Sequence, residues 1–209
     1  MSPIIVIIIL ALLFSVVVHE VAHGYVAYKL GDPTAKNMGR LTLNPIPHID
    51  PIWTILIPTV MYMTVGFVFG GAKPVPVNYY NLRKPKRDMA LVAAAGPLSN
   101  LLLAIISITL FKFFVSLGFV NQILHDLLYY MVMVNTVLMA FNLLPIPPLD
   151  GSKILMGVLS NEQAEKYEEF SSYGFIIIFG ILLLGDVIGT SILGLFLKPF
   201  IAIAHNAFY

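Results

Sequence analysis

Residues 4–30 read IIVIIILALLFSVVVHEVAHGYVAYKL, and the stretch carries no charged side chain before it reaches a histidine at position 19. A hydrocarbon core near 30 Å is crossed by about 20 apolar residues rising about 1.5 Å each, so this stretch predicts a membrane-spanning helix. Its start lacks the basic residues and small-residue cleavage site of a signal peptide, so it is read as a retained helix. Four more stretches almost free of Asp, Glu, Lys and Arg follow, at 51–72, 89–125 with only Lys112 inside, 127–149, and 170–197 with only Asp186 inside. The whole chain of 209 residues is 58% hydrophobic and 11% charged, with a mean hydropathy of +0.88. Soluble domains run at about 45–50% apolar and about 25% charged, which excludes an ordinary soluble globule. The expectation is an all-α polytopic membrane protein with about five hydrophobic segments, forming one domain over residues 1–209. Four segments read as full spans. The stretch 51–71 holds Pro58, Gly66, Gly70 and Gly71 among Val, Thr and aromatic residues, and reads as a re-entrant or strand-like insertion buried against protein.

Charge narrows the partners and sets an orientation. A formal net charge of +1 leaves no basic surface to follow a phosphate backbone, so nucleic acid is not an expected partner. With no cysteine, any metal must be held by His, carboxylate or backbone oxygen. The densest basic cluster is Lys73, Arg83, Lys84, Lys86 and Arg87, with Asp88 the one acid beside it, and the positive-inside rule puts that loop in the cytoplasm. The segment from Met89 then crosses outward, 121–126 lies outside, and 127–144 returns, so Asp150 is expected on the cytoplasmic side of a cell membrane. If the first helix also ends on that side near Leu30, the stretch 51–71 must enter and leave by the same face.

The chemistry concentrates in His19-Glu20-Val21-Ala22-His23. Histidines at i and i+4 lie one turn apart on one helical face, where both imidazoles can reach one zinc ion, and Glu20 is near enough to act as general base on a bound water. Three ionisable groups inside an apolar span are costly unless paired or functional. A third ligand of carboxylate or imidazole type is needed. Asp150 is a candidate, in Asn142-Leu143-Leu144-Pro145-Ile146-Pro147-Pro148-Leu149-Asp150-Gly151, where prolines break the returning helix. The same residue reads equally well as a cap for the helix that follows.

These motifs resemble those of the site-2 protease family of intramembrane zinc metalloproteases, in its compact branch with neither a PDZ nor a CBS domain. The similarity runs through His19–Gly24, Gly39-Arg40-Leu41-Thr42-Leu43-Asn44-Pro45, His48-Ile49-Asp50-Pro51, Ala72-Lys73-Pro74-Val75-Pro76-Val77, Gly96-Pro97-Leu98-Ser99-Asn100 and Asn142–Gly151, or roughly residues 15–155. The resemblance implies one zinc ion per chain on His19, His23 and Asp150, with Glu20 activating water. It assigns Asn100 to the substrate or the oxyanion; on the residues alone, Gly96 and Asn100 read as helix packing, Gly96 admitting a neighbouring backbone and Asn100 making an interhelical hydrogen bond. Asn142 is expected to brace the Asp150 turn. The implied substrates are transmembrane segments of other proteins in the lipid bilayer. A polytopic metal or proton transporter is the alternative reading of intramembrane His, Glu and Asp, and the contiguous motif argues against it. His48 and Asp50 are expected to close a proline-flanked turn rather than gate substrate, Asp186 to mark a break between two short helices, and His125 and His205 to be solvated rather than ligating.

Overall fold

A computed structural model describes residues 2–65, 70–188 and 191–209. The elements are α1 (Pro3–Lys29), a single turn α2 (Thr34–Asn37), a π-helical turn Pro51–Leu56 that continues into α3 (Ile57–Val65), α4 (Pro85–Ser116), α5 (Gln122–Asn142), α6 (Asp150–Val158), α7 (Asn161–Glu169), α8 (Gly174–Ile188) and α9 (Ile192–Phe208). No strand occurs among the described residues. Local signals set the ends. Proline, which has no amide to leave unpaired, occupies the first turn of α1 and of α4. Asn121 caps α5 by accepting from the Leu124 amide at 2.9 Å, and Ser160 with Gln163 forms a reciprocal capping box on α7.

Among the described residues, α1, α4 and α5 are long and apolar enough to cross a bilayer. Helix α4 is the centre, packed against α1, α5 and α6. Half of its buried residues are small, Ala93, Ala95, Gly96, Ala104 and Ser107, and let neighbouring helices come close where lipid offers no hydrophobic drive to association. Midway along the bundle Ser15, Asn100 and Asn135 are fully enclosed, and this polar layer meets His19. At one end Phe111 stacks on Phe208 at 3.9 Å, beside Leu128, Val132 and Ala204. There His125 hydrogen-bonds with Asp126 at 3.0 Å and with the Tyr209 hydroxyl at 3.2 Å, and His205 with the Tyr129 hydroxyl at 3.3 Å, so both imidazoles fasten α9 to α5.

The opposite end gathers the loops. The Arg83 amide donates to the Leu30 carbonyl at 3.2 Å, and the enclosed Asp32 carboxylate accepts from the Asn78 amide at 2.7 Å and the Asn81 carboxamide at 2.9 Å. The end of α1 and the start of α4 therefore lie on one side. The chain between them makes a closed excursion: the Lys73 amide donates to the His48 carbonyl at 2.8 Å, and the Gly71 amide to the Trp53 carbonyl at 3.0 Å. This is the re-entrant arrangement, and its described inward leg is helical rather than strand-like. A lone strand at membrane depth has no neighbour for its amides, whereas a helix satisfies its own. Asp50 caps that leg, accepting from the Ile52 and Trp53 amides at 2.9 Å each, and buried His48 contacts the Thr42 carbonyl at 3.0 Å through Nε2, so both residues close the turn. Gly66 lies outside the described residues.

The last hydrophobic stretch, expected as one crossing, is divided between α8 and α9. Ser191 caps α9 by accepting from the Gly194 amide at 2.9 Å. The side chain of Asp186, close to this division, is outside the described residues.

Candidate active site

One helix presents the two histidines and a second fixes both of them. On α1, four residues apart, His19 and His23 point into the bundle and are buried. The His19 Nδ1–H donates to Asn100 Oδ1 of α4 at 2.6 Å, and the His23 Nδ1–H donates to the Val92 carbonyl of α4 at 2.7 Å. Each imidazole is thereby held with its Nε2 lone pair free, as metal-ligating histidines are held by outer partners. Gly96 makes room for them. A Cβ built there would stand 2.5 Å from Cε1 of His19 and 2.5 Å from both Cε1 and Nε2 of His23. The space that glycine leaves is filled by the two rings and not by another backbone.

Asp150 arrives from the far end of the chain as the first residue of α6. The prolines of residues 145–148 end α5, and the turn is held by the Ser152 hydroxyl, which donates to the Leu149 carbonyl at 2.7 Å. Asp150 Oδ2 then lies 3.1 Å from His19 Nε2 and 3.2 Å from His23 Nε2, and the two Nε2 atoms are 3.0 Å apart. With both Nδ1 atoms protonated, three lone-pair acceptors face one another, and Asp150 Oδ2 is a buried oxygen with no hydrogen-bond donor. Such a cluster is repulsive without a cation. Three ligand atoms of a tetrahedral ion bound at about 2.0–2.1 Å stand about 3.3 Å apart, close to the triangle seen, so these residues fit a zinc-sized metal. They are the one such group of His and carboxylate side chains among the described residues.

A cavity of about 340 Å³ opens on this triangle, lined by Glu20, Asn142, Lys153, Val92 and Ala93, and by Pro74, Val75 and Val77. Glu20 is half-buried on its wall, and its Oε2 accepts from the Val75 amide at 2.7 Å. Residues 73–77 pass along the cavity wall, anchored by the buried Arg40, whose Nη2 donates to the Lys73 carbonyl at 2.8 Å. Gly24 permits this close approach, since a Cβ there would meet Leu41 and Val75 side chains at 2.7 Å. Neither Arg40 nor the contact of Val75 with Glu20 was foreseeable from spacing; they join segments 33 and 55 residues apart.

The Asn100 oxygen accepts from His19 and its nitrogen donates to Asn135 at 2.8 Å, with the Ser15 carbonyl at 3.5 Å, so this enclosed side chain makes the interhelical hydrogen bonds that the residues alone suggested rather than facing the cavity as the resemblance implied. Asn142 lines the cavity, but its carboxamide donates to Leu138 one turn back in its own helix at 3.0 Å, and Ser152 braces the Asp150 turn in its place. Asn135, like Arg40, was not singled out by the sequence.

Two imidazoles and a carboxylate converging inside a helical membrane protein, with a second carboxylate on the cavity wall, define a membrane-embedded metallopeptidase. The chain belongs to Peptidase family M50, whose model matches residues 7–126 and 118–185. YwhC of Bacillus subtilis, named as a candidate zinc metalloprotease, is 43% identical over 174 residues, which cover 81% of this chain and 76% of that protein. Rip2 of Mycolicibacterium smegmatis, named in the same way, is 28% identical over 172 residues, 82% of this chain and 64% of its own length. The zinc metalloprotease MJ0392 of Methanocaldococcus jannaschii is 28% identical over 151 residues, and this chain spans only 34% of it. No solved structure matches the chain.

Proposed function

We propose that this chain is an intramembrane zinc metalloprotease that hydrolyses a peptide bond within or near transmembrane segments of other membrane proteins, as one catalytic domain over residues 1–209. The observation that carries the reading is the convergence of His19, His23 and Asp150 on one point of a cavity that also holds Glu20. His19 Nε2, His23 Nε2 and Asp150 Oδ2 would hold the zinc. When bound, zinc supplies a Lewis acid for the scissile carbonyl and lowers the pKa of water. Glu20 takes a proton from the attacking water as the new C–O bond forms, and returns it to the amide nitrogen as the C–N bond breaks. The Val75 amide fixes the Glu20 carboxylate at one oxygen and leaves the other for that exchange. Pro74, Val75 and Val77 line the cavity and give an unwound substrate an apolar wall to lie against.

The cavity opens at the end of the bundle that carries Lys73, Arg83, Lys84, Lys86 and Arg87, so the site faces the cytoplasm of a cell membrane by the positive-inside rule. The test is cleavage of a single-span substrate by the purified chain in lipid, with and without a chelator, beside Glu20→Gln. Loss of cleavage in both, with restoration by added zinc in the first alone, is the expected result. Cleavage that survives Glu20→Gln at the parental rate would overturn the assignment of the base.

A further inference from the structure

The polar layer behind His19 runs one residue deeper than a supporting hydrogen bond requires. Asn135, on α5, is fully enclosed in a membrane-spanning helix, where an amide is costly unless every polar atom finds a partner. It does find them. Its Oδ1 accepts from Asn100 Nδ2 at 2.8 Å, and its Nδ2 donates to the Ser15 hydroxyl at 2.8 Å and to the Met131 carbonyl at 2.8 Å.

The order of these bonds has a direction. A backbone carbonyl only accepts, so Met131 compels Asn135 to face it with nitrogen and to turn oxygen toward Asn100. Asn100 must then present nitrogen to Asn135, where the Ser15 carbonyl at 3.5 Å also lies, and its oxygen is left for His19. An amide oxygen only accepts, so the His19 proton resides on Nδ1 and the Nε2 lone pair is free. His23 needs no such device, because its Nδ1–H meets the Val92 carbonyl directly and a carbonyl cannot flip.

We propose that Asn135 is a positioning residue for the metal centre: anchored on Met131, it fixes the sense of the Asn100 carboxamide and through it the tautomer and ring orientation of His19. It touches neither substrate nor metal. The inference rests on the reading of His19 as a zinc ligand, and the experiment separates the two.

Full-length protein in detergent is stripped of metal, and zinc affinity is measured by competition with a chromophoric chelator. Metal-free protein carrying ¹⁵N-labelled histidine reports the His19 tautomer, assigned by difference from His19→Ala. Asn135→Leu removes the acceptor that holds Asn100 and should weaken zinc binding about tenfold, the lower end of the range for outer partners of metal ligands, with His19 split between tautomers. Asn135→Asp, protonated at this enclosed position, keeps an oxygen toward Asn100 and a hydroxyl for the Met131 carbonyl, and should bind zinc more tightly than Asn135→Leu. A tautomer of His19 carrying its proton on Nε2 in the parent protein overturns the proposal even if the leucine variant fails to fold. So does unchanged affinity in a folded Asn135→Leu. If His19→Ala binds zinc as the parent does, the ligand assignment itself fails; if only Asn135→Leu is silent, the relay alone fails.

Discussion

Glu20 and its metal-binding neighbours differ in what their loss should do. Glu20→Gln keeps an oxygen that can still accept from the Val75 amide but cannot take a proton, so zinc should remain bound while hydrolysis falls about 10²- to 10⁴-fold. Asp150→Ala should lose the metal itself; metal analysis of the two purified variants distinguishes them, and a fully loaded Asp150→Ala would sink the third ligand. Gly96→Ala is the sharper steric test. Its methyl would sit 2.5 Å from both imidazoles, and at least one must swing away, so zinc affinity should drop by at least about tenfold, read by chelator competition. Asp32 predicts a pH effect outside the spans. Burial works to raise its carboxyl pKa, but the Thr34 hydroxyl, the Asn81 carboxamide and the Asn78 and Thr34 amides outweigh it and hold the value below 3.8. A carboxylate with a depressed folded pKa contributes stability that is present above its unfolded value and lost as pH falls through the folded one. Asp32→Asn should therefore lower the thermal midpoint at neutral pH and flatten its fall between about pH 4 and the acid limit, followed by unfolding in detergent. At this scale the His19, Glu20 and His23 spacing was legible because helical periodicity alone puts the histidines on one face. Asn135 was not, since nothing local separates a relay amide from any polar residue in a span, and its meaning appears only when α1, α4 and α5 are packed.

Hydropathy finds elements, and backbone hydrogen bonding decides what they become. The long helices α1, α4 and α5 follow from uninterrupted apolar length, which in lipid admits only a structure that pairs its own amides. The same rule explains why the stretch after Asp50 is helical although its β-branched and aromatic residues suit a strand: β propensity expresses packing on a sheet, and no partner strand exists among the described residues. The sequence led to a return by the same face from where α1 ends, but not to the bonds that close it, between the backbones of His48 and Lys73 and of Trp53 and Gly71. It has a direct test in single cysteines at Thr34 and Asn81. Both flank the Asp32 clasp, so an impermeant thiol reagent should modify both from the same side of sealed vesicles. Reaction from opposite sides would mean that the stretch between them crosses once.

Taken as a whole, the molecule sets its metal-binding triangle several turns back from the end of α1 that carries the loops. His19 lies ten residues before the end of α1 at Lys29, roughly 15 Å of helix and thus about half the hydrocarbon thickness. A cavity of about 340 Å³ there is of small-ligand size and holds a few residues of unwound chain, whereas an intact helix is about 10–12 Å across and hides its carbonyls in its own hydrogen bonds. Pro74, Val75 and Val77 give such a chain an apolar wall to lie against. Unwinding should then precede hydrolysis and contribute to its barrier. Gly costs a helix about 1 kcal/mol relative to Ala, so each Ala→Gly change beside the scissile bond should raise the single-turnover rate up to about fivefold, and each Gly→Ala or Gly→Leu change should lower it by a similar factor. Substrate affinity should move much less, because the flanking helix that docks in lipid is unaltered. A matched series of single-span substrates in liposomes at saturating enzyme reads the rate directly. Equal rates across helix-breaking and helix-forming variants would show that the substrate reaches the metal already extended, and would shift the origin of selectivity from helix stability to the side chains that meet Met89, Val92 and Lys153 on the cavity wall.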